Sequence, residues 1–484
     1  MKTSSAVSTP GAAQTASSDS SVLRWLVAAA FVVILNETIM MNAIPRLMVD
    51  LNIDETLAQW LSTAFMLTMA VVIPITGWLL QRVTTRQAFT GAMVTFCLGT
   101  LLAAVSWSFP VLVVARVVQA SATAIMMPLL MTTLMKLVSP DDRGRVMGTV
   151  SLAMSVAPAL GPAVSGIVLQ FLGWRWIFLV VLPIAIAIAI VGSRRLVNVG
   201  ETIRTPIDWL SAALAAVGFG TLVYGLSQMS RATPLVLALA VIGALGVAAF
   251  VWRQIVLQRS DRPLLDLRTF RSRVFTVSLA AMAIAFGAMI GTMLLLQLYL
   301  QQARHATPLA TGLLVMPGGL AMGLLGPTIG KIYDRHGARV LMLPGGALSV
   351  MALGGFALVS ATTPYWLILV AHVALSLGLA SLFTPMFTMS LGSLPSRQYS
   401  HGSSLLGTTQ QVAGALGTAL AVVVLTSRTA AATQRGLGEA AAYLDGLKWA
   451  FTLCAALAVG MMALVATLPA RVATDHLDPA GAHV

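Results

Sequence analysis

Fourteen apolar runs divide this 484-residue chain, each long enough to cross a bilayer as a helix. They fall at about 24–45, 57–80, 87–107, 110–135, 146–171, 175–193, 208–228, 233–254, 274–301, 308–330, 339–360, 364–391, 401–426 and 446–468. In lipid, every backbone polar group must bond internally, so such runs become helices. A β-barrel would instead alternate apolar and polar residues with a period of two. Only 9% of residues are charged and 58% are hydrophobic, with mean hydropathy +0.89. A soluble domain of this size would be about a quarter charged. The sequence therefore predicts an all-α polytopic membrane protein.

The formal charge of +13 does not point to nucleic acid, because the basic residues sit in short loops between apolar runs. Of the 29 Lys and Arg, 21 fall on the side carrying both termini and the loops after even-numbered spans. Seven fall on the other side, and Arg116 lies within a span. This bias predicts that both termini are cytoplasmic. Cys97 and Cys454 both lie within apolar runs, which indicates neither a disulfide framework nor a metal site. Residues 1–22, rich in Ser, Ala and Thr, read as a disordered cytoplasmic tail rather than a secretory signal. No phosphate-binding loop of the Gly-x-x-x-x-Gly-Lys type appears, so ATP is not the expected energy source, and no cofactor or metal is expected.

Two loops repeat. Gly77, Arg82 and Arg86 after the second span recur as Gly330, Arg335 and Arg339 after the tenth, an offset of 253 residues and eight spans. A plain six-plus-six repeat would give an offset of six spans, so two helices lie between the halves. The expected layout is 6+2+6: a tail to residue 22, six helices over 23–194, the inserted pair with its loops over 195–272, six helices over 273–469, and a second cytoplasmic tail over 470–484. Spans seven and eight carry little chemistry, with Asp208 and Trp209 marking an interfacial helix start.

Glu37 is the one acid well inside a span, with no other charge between Arg24 and Arg46. A carboxylate at such depth costs several kcal/mol unless it has a partner, water or a proton. It is either a proton carrier or a hydrogen-bonded lock between helices. Arg116, Gln119 and Thr123 form a polar stripe at helical spacing, either a relay beside an acid or a packing device. His372 is a second titratable candidate or a packed histidine.

Several segments together resemble the major facilitator superfamily, in its fourteen-helix drug:proton antiporter branch, over about residues 24–468. Leu35–Pro45 is similar to that branch's first-helix motif, with Asn36 where Asp usually stands, and its Asn-Glu-Thr variant resembles the lincomycin-resistance exporters. Arg116–Ala120 resembles the fourth-helix Arg-x-x-Gln-Gly motif, Gly161–Gly166 the antiporter motif of helix five, and Trp174–Phe178 the segment that follows it. In the first loop, Gln81 and Thr84 replace the usual Asp and Gly, whereas the second copy keeps Asp334 and Gly337. The acid has moved one residue along the first helix, about 100° around its axis.

The resemblance implies a monomeric proton-coupled exporter of amphipathic drug-like compounds, lincosamide-type antibiotics among them, in the bacterial inner membrane. It implies proton coupling by Glu37 and Arg116. Gating would involve Pro158, Gly161, Pro162, Gly166 and Arg82, with Asp334, Arg335 and Arg339 forming a charge latch. Adaptable apolar and amide side chains predict substrate contacts at Asn36, Gln119, Met127, Met293, Gln297, Phe383, Phe387 and Gln410. The competing readings are an exporter of an endogenous metabolite, peptide or lipid on the same fold, a membrane-embedded enzyme, and a passive channel. An enzyme would need a convergent nucleophile, base or metal cluster, which the sequence does not show.

Overall fold

The computed structural model describes the backbone of residues 10–200, 202–203, 206–229 and 233–471, and their side chains except at 10–20, 41–42, 55–56, 162–163 and 308–309. Among these residues, fourteen helices are long and apolar enough to cross a membrane. The first six are α1 (Pro10–Asp50), α2 (Glu55–Arg82), α3 (Thr85–Ala104), α4 (Phe109–Leu137), α5 (Arg143–Phe171) and α6 (Arg175–Arg195). An inserted pair follows, α7 (Trp209–Ser227) and α8 (Pro234–Gln258). The last six are α9 (Arg273–Leu298), α10 (Pro308–His336), α11 (Arg339–Ala357), α12 (Tyr365–Gly392), α13 (Tyr399–Gln434) and α14 (Glu439–Ala466).

Polar residues punctuate the apolar runs where the helices begin. Asp54 accepts from Leu57 N, Thr84 and Gln87 form a reciprocal capping box, and Ser272 and Thr307 cap α9 and α10. One boundary differs from expectation. Residues 10–22, read as part of a disordered tail, continue α1, and Val22 and Leu23 are buried. The alanine-rich composition of this stretch favours helix once the apolar span anchors its C-terminal end. Residues 1–9 and 472–484 of the two expected tails lie outside the described residues.

The helix contacts repeat with an offset of eight. In the first half α1 packs on α5 and α6, α3 on α4 and α6, and α2 on α4. In the second half α9 packs on α13 and α14, α11 on α12 and α14, and α10 on α12. The halves then meet along two related seams, α5 with α10 and α2 with α13. The α7–α8 pair covers the α2–α13 seam, with α7 touching both helices. An even number of spans brings the termini to one end, shared with the loops after α2, α4, α6, α8, α10 and α12; it is called the basic end below.

The inserted pair is more polar at that end than its sequence suggested. Asp208 caps α7 through Ser211 N at 3.1 Å and receives both Nε (3.0 Å) and Nη2 (2.9 Å) of Arg253 on α8. Gln254 donates to Ser211 Oγ and accepts from Leu264 N and Leu265 N, tying the following loop to the pair. The Arg253 fork holds the Asp208 carboxyl down at about 2. Because its folded pKa is depressed, this group contributes stability above its ordinary pKa of 3.8, and that stability is lost as pH falls toward 2. Asp208→Asn should lower the thermal midpoint by a few degrees at pH 7 and flatten its decline below pH 4, as scanning calorimetry across pH will show.

Candidate functional site

Arg116 is 2% exposed, in the first third of α4. Its Nη1 donates to Gln119 Oε1 at 3.1 Å, and its Nε to the Leu61 carbonyl at 3.4 Å. The guanidinium stands 4.3 Å from the Phe65 ring centroid. Gln119 Nε2 donates onward to Thr100 Oγ1 at 3.0 Å, and Thr123 Oγ1 to the Gln119 carbonyl at 3.0 Å. The stripe is thus a buried polar column joining α4 to α2 and α3. Gly99 makes the room: a Cβ there would lie 2.9 Å from Gln119 Cγ. Leu61, Phe65 and Thr100 are partners that the spacing on α4 could not reveal.

Glu37 is half-buried on α1 and lies within electrostatic range of Arg116. It forms no ion pair within 4 Å among the described residues. Its neighbour Asn36 is completely buried, and neither amide atom has a hydrogen-bond partner. The one-residue shift along α1 therefore separates two environments, a packed one for Asn36 and a more open one for Glu37. On the far side, Thr38 packs against Gly161 of α5 and lies 3.5 Å from the Ala157 carbonyl.

The halves are shut at the basic end. Thr132 and Ser403 hydroxyls bond at 2.9 Å, as do Ser151 and Thr384 at 3.1 Å. Gln81 Nε2 donates to the Arg397 carbonyl at 2.9 Å, and Arg143 Nη2 to Tyr399 at 3.4 Å. Gly144 and Gly148 of α5 lie against Gly330 and Gly326 of α10 with no room for side chains. Farther along the same seam, contact weakens. A Cβ on Gly319 would still reach Ala159 at 3.7 Å, but one on Gly166 or Gly312 would meet nothing within 4 Å. Glu37, next to the Thr38–Gly161 contact, sits at the level where the seam opens.

Asp334 lies with neither Arg335 nor Arg339. Its carboxylate accepts from Gly144 N at 2.8 Å and Arg145 N at 2.7 Å, across the seam at the start of α5. A carboxylate there satisfies two unpaired helix donors and opposes the positive end of the helix dipole. Arg339 Nε instead donates to the Leu468 carbonyl, and the Arg335 carbonyl accepts from Arg471. Arg82 lies 5.5 Å from the Trp78 ring centroid. Asp334→Asn should therefore loosen the shut end by about 1 kcal/mol, and Arg335→Gln should do so far less. Thiol labelling of Ser403→Cys in a background lacking Cys97 and Cys454 reads this opening.

Of the remaining gating positions, Pro158 is exposed on α5, Gly161 packs on Thr38, and Gly166 has open space where close helix contact was expected. The Pro162 side chain lies outside the described residues. The expected substrate contacts are scattered in depth. Gln119 has both ends of its amide engaged, and Asn36 is sealed in the first half. Phe383 and Phe387 are buried on α12, where Phe383 meets Phe286 edge-on at 6.4 Å. Met127 and Gln410 are half-buried, and Met293 and Gln297 are exposed on α9 away from the basic end. His372 is buried against Gly318, with Nδ1 unpartnered.

Comparison with known proteins places this architecture. The family model described as the Major Facilitator Superfamily matches residues 26–418. The uncharacterized MFS-type transporter YcnB of Bacillus subtilis (strain 168) is 37% identical over 438 residues, covering 90% of this chain and 92% of that protein. The lincomycin resistance protein LmrB of the same organism is 34% identical over 405 residues, covering 83% and 84%. Among solved structures, the proton:xylose symporter XylE superposes with a TM-score of 0.63 at 13% identity, covering 94% of this chain and 97% of that one, a likeness of fold.

Proposed function

The chain belongs to the Major Facilitator Superfamily, and from that premise we propose that it is a proton-coupled antiporter exporting amphipathic drug-like compounds, lincosamide-type antibiotics among them. The observation that carries this reading is the placement of Glu37: a half-buried acid with no ion pair among the described residues, at the level where the two halves begin to part, within electrostatic range of a fixed guanidinium. The basic bias assigns the shut end and both termini to the cytoplasm of a bacterial inner membrane. The open end then faces outward. In that state Glu37 takes a proton from outside as the exported compound leaves. Closure of the outer end and opening of the inner one return the proton to the cytoplasm.

Arg116 has a supporting role. Its hydrogen bonds to Gln119 and Leu61 hold it in place, so its field on Glu37 is constant while the proton comes and goes. Half-buried Met127 and Gln410, together with the α9 face bearing Phe286, Met289, Met293 and Gln297, supply adaptable surfaces for varied compounds. Inward proton movement supplies the drive, its electrical part worth about 2.3 kcal/mol per charge per 100 mV. The kinship with a lincomycin resistance protein supports the substrate class.

The test is transport by purified monomer in proteoliposomes with an imposed pH gradient. Lincomycin and unrelated amphipathic cations should each be accumulated and should each release the gradient. Compound flux that ignores the gradient would identify a passive pathway instead, and flux of an endogenous lipid or peptide alone would move the assignment to a metabolite exporter.

A further inference from the structure

Beside the Gln81–Arg397 contact, the basic end carries a cleft of ≈ 300 Å³ between the turn that precedes α9 and the α12–α13 connection. Three guanidinium-bearing residues line it: Arg268, Arg271 and Arg397. Ser272, Ser393 and Gln398 complete its polar wall. Arg268 is fixed by the Gln258 carbonyl at 2.7 Å and by Asp261 and Asp266. Arg271 and Arg397 are exposed, and among the described residues neither guanidinium has a hydrogen bond or ion pair. Gln398 is only 5% exposed, and its side-chain amide has no hydrogen bond among those residues. Gln398 lines the cleft with an amide that no described protein group engages.

The surrounding charge is strongly one-sided: residues 259–273 hold five arginines against two aspartates. The depth is that of a membrane surface. Trp209 at the start of α7 and Trp252 near the end of α8 are 75% and 66% exposed at the same end, where interfacial tryptophans meet headgroups. Phe270, beside Arg271, is also exposed. We propose that this cleft binds the phosphate of an anionic lipid headgroup from the adjoining leaflet. Arg271 and Arg397 supply paired donors to the phosphate oxygens, the Gln398 amide donates a further hydrogen bond, and Phe270 meets the acyl chains.

Binding of fluorescent phosphatidylglycerol to the detergent-solubilised full chain tests the site, with fluorescent phosphatidylcholine as the neutral comparison. Phosphatidylglycerol should bind more tightly, and the double variant Arg271→Gln/Arg397→Gln should weaken that binding about tenfold or more. Gln398→Leu should weaken it without any change of charge. Arg46→Gln/Arg428→Gln, which removes the same charge from the opposite end, should leave it intact. Unchanged affinity in the first variant overturns the site, and so does an equal loss in the charge-matched one. Inorganic phosphate at millimolar concentration should not displace the lipid; displacement would overturn the lipid assignment in favour of a soluble oxyanion.

Discussion

Glu37→Gln is expected to abolish substrate-driven proton movement while leaving the protein folded and able to bind its substrate. Glutamine keeps the size and hydrogen-bonding capacity of the side chain but cannot release a proton in the working range. Among the described residues, every other acid lies at or near a helix end rather than well inside a span. Asp208 is clamped by Arg253 at a helix start, and Asp334 is engaged by two backbone donors of α5. The rival role for Glu37, a permanent lock between helices, predicts a lowered thermal midpoint and retained coupling. Against it stands the geometry: among the described residues no ion pair within 4 Å ties Glu37 to another helix. The measurement is pH change on adding substrate to sealed proteoliposomes, wild type beside variant. Normal proton release from the Gln variant would end the carrier assignment.

A second variant sharpens the point. Asn36→Asp/Glu37→Gln returns the acid to the position usual in the resembling antiporters. The amide of Asn36 is sealed within the first half with no partner for either atom. An aspartate there would have no water path, so the double variant should remain uncoupled. Rescue would mean that α1 rotates during transport enough to expose that face.

Hydropathy alone yields the fourteen spans, because the bilayer imposes one solution on every apolar run. The loop repeat carries more. An offset of eight spans anticipates a contact map in which α1–α6 recur as α9–α14, and that map is observed. The polar surroundings of Arg116 were half legible. Gln119 and Thr123 follow from helical spacing, whereas Thr100, Phe65 and the Leu61 carbonyl come from other helices whose rotation no single-helix pattern fixes. The latch was legible in residue but not in partner. Side-chain charges suggested that Asp334 would pair with arginines, but backbone N–H groups at a helix start carry no signature in residue identity, and they hold it. Likewise Gln81, which replaces an acid in the first loop copy, still bridges the halves as a neutral donor to a carbonyl. The two loop copies thus occupy equivalent places across the two seams but differ in charge and in hydrogen-bond direction.

The α5–α10 seam is where a single small side chain should have its largest effect. Gly148→Val places a branched side chain where α5 and α10 meet backbone to backbone: a Cβ there would lie 2.7 Å from the Gly326 carbonyl carbon and 2.8 Å from Pro327 Cα. Neither atom is the end of a flexible side chain, so the helices themselves must separate. Overpacking of this kind costs about 1–3 kcal/mol. The contact is between the halves rather than within either, so that cost falls mainly on the state shut at the basic end. Each 1.4 kcal/mol shifts the population about tenfold, and the variant should rest open at that end, cycle poorly and export little. Labelling of Ser403→Cys from the basic side should rise about tenfold or more over the same variant with Gly148 intact. Gly166→Val, on the same helix but facing open space, should change neither labelling nor export. Equal labelling with and without the valine at 148 would show that the α5–α10 contact is not the closure that transport must break.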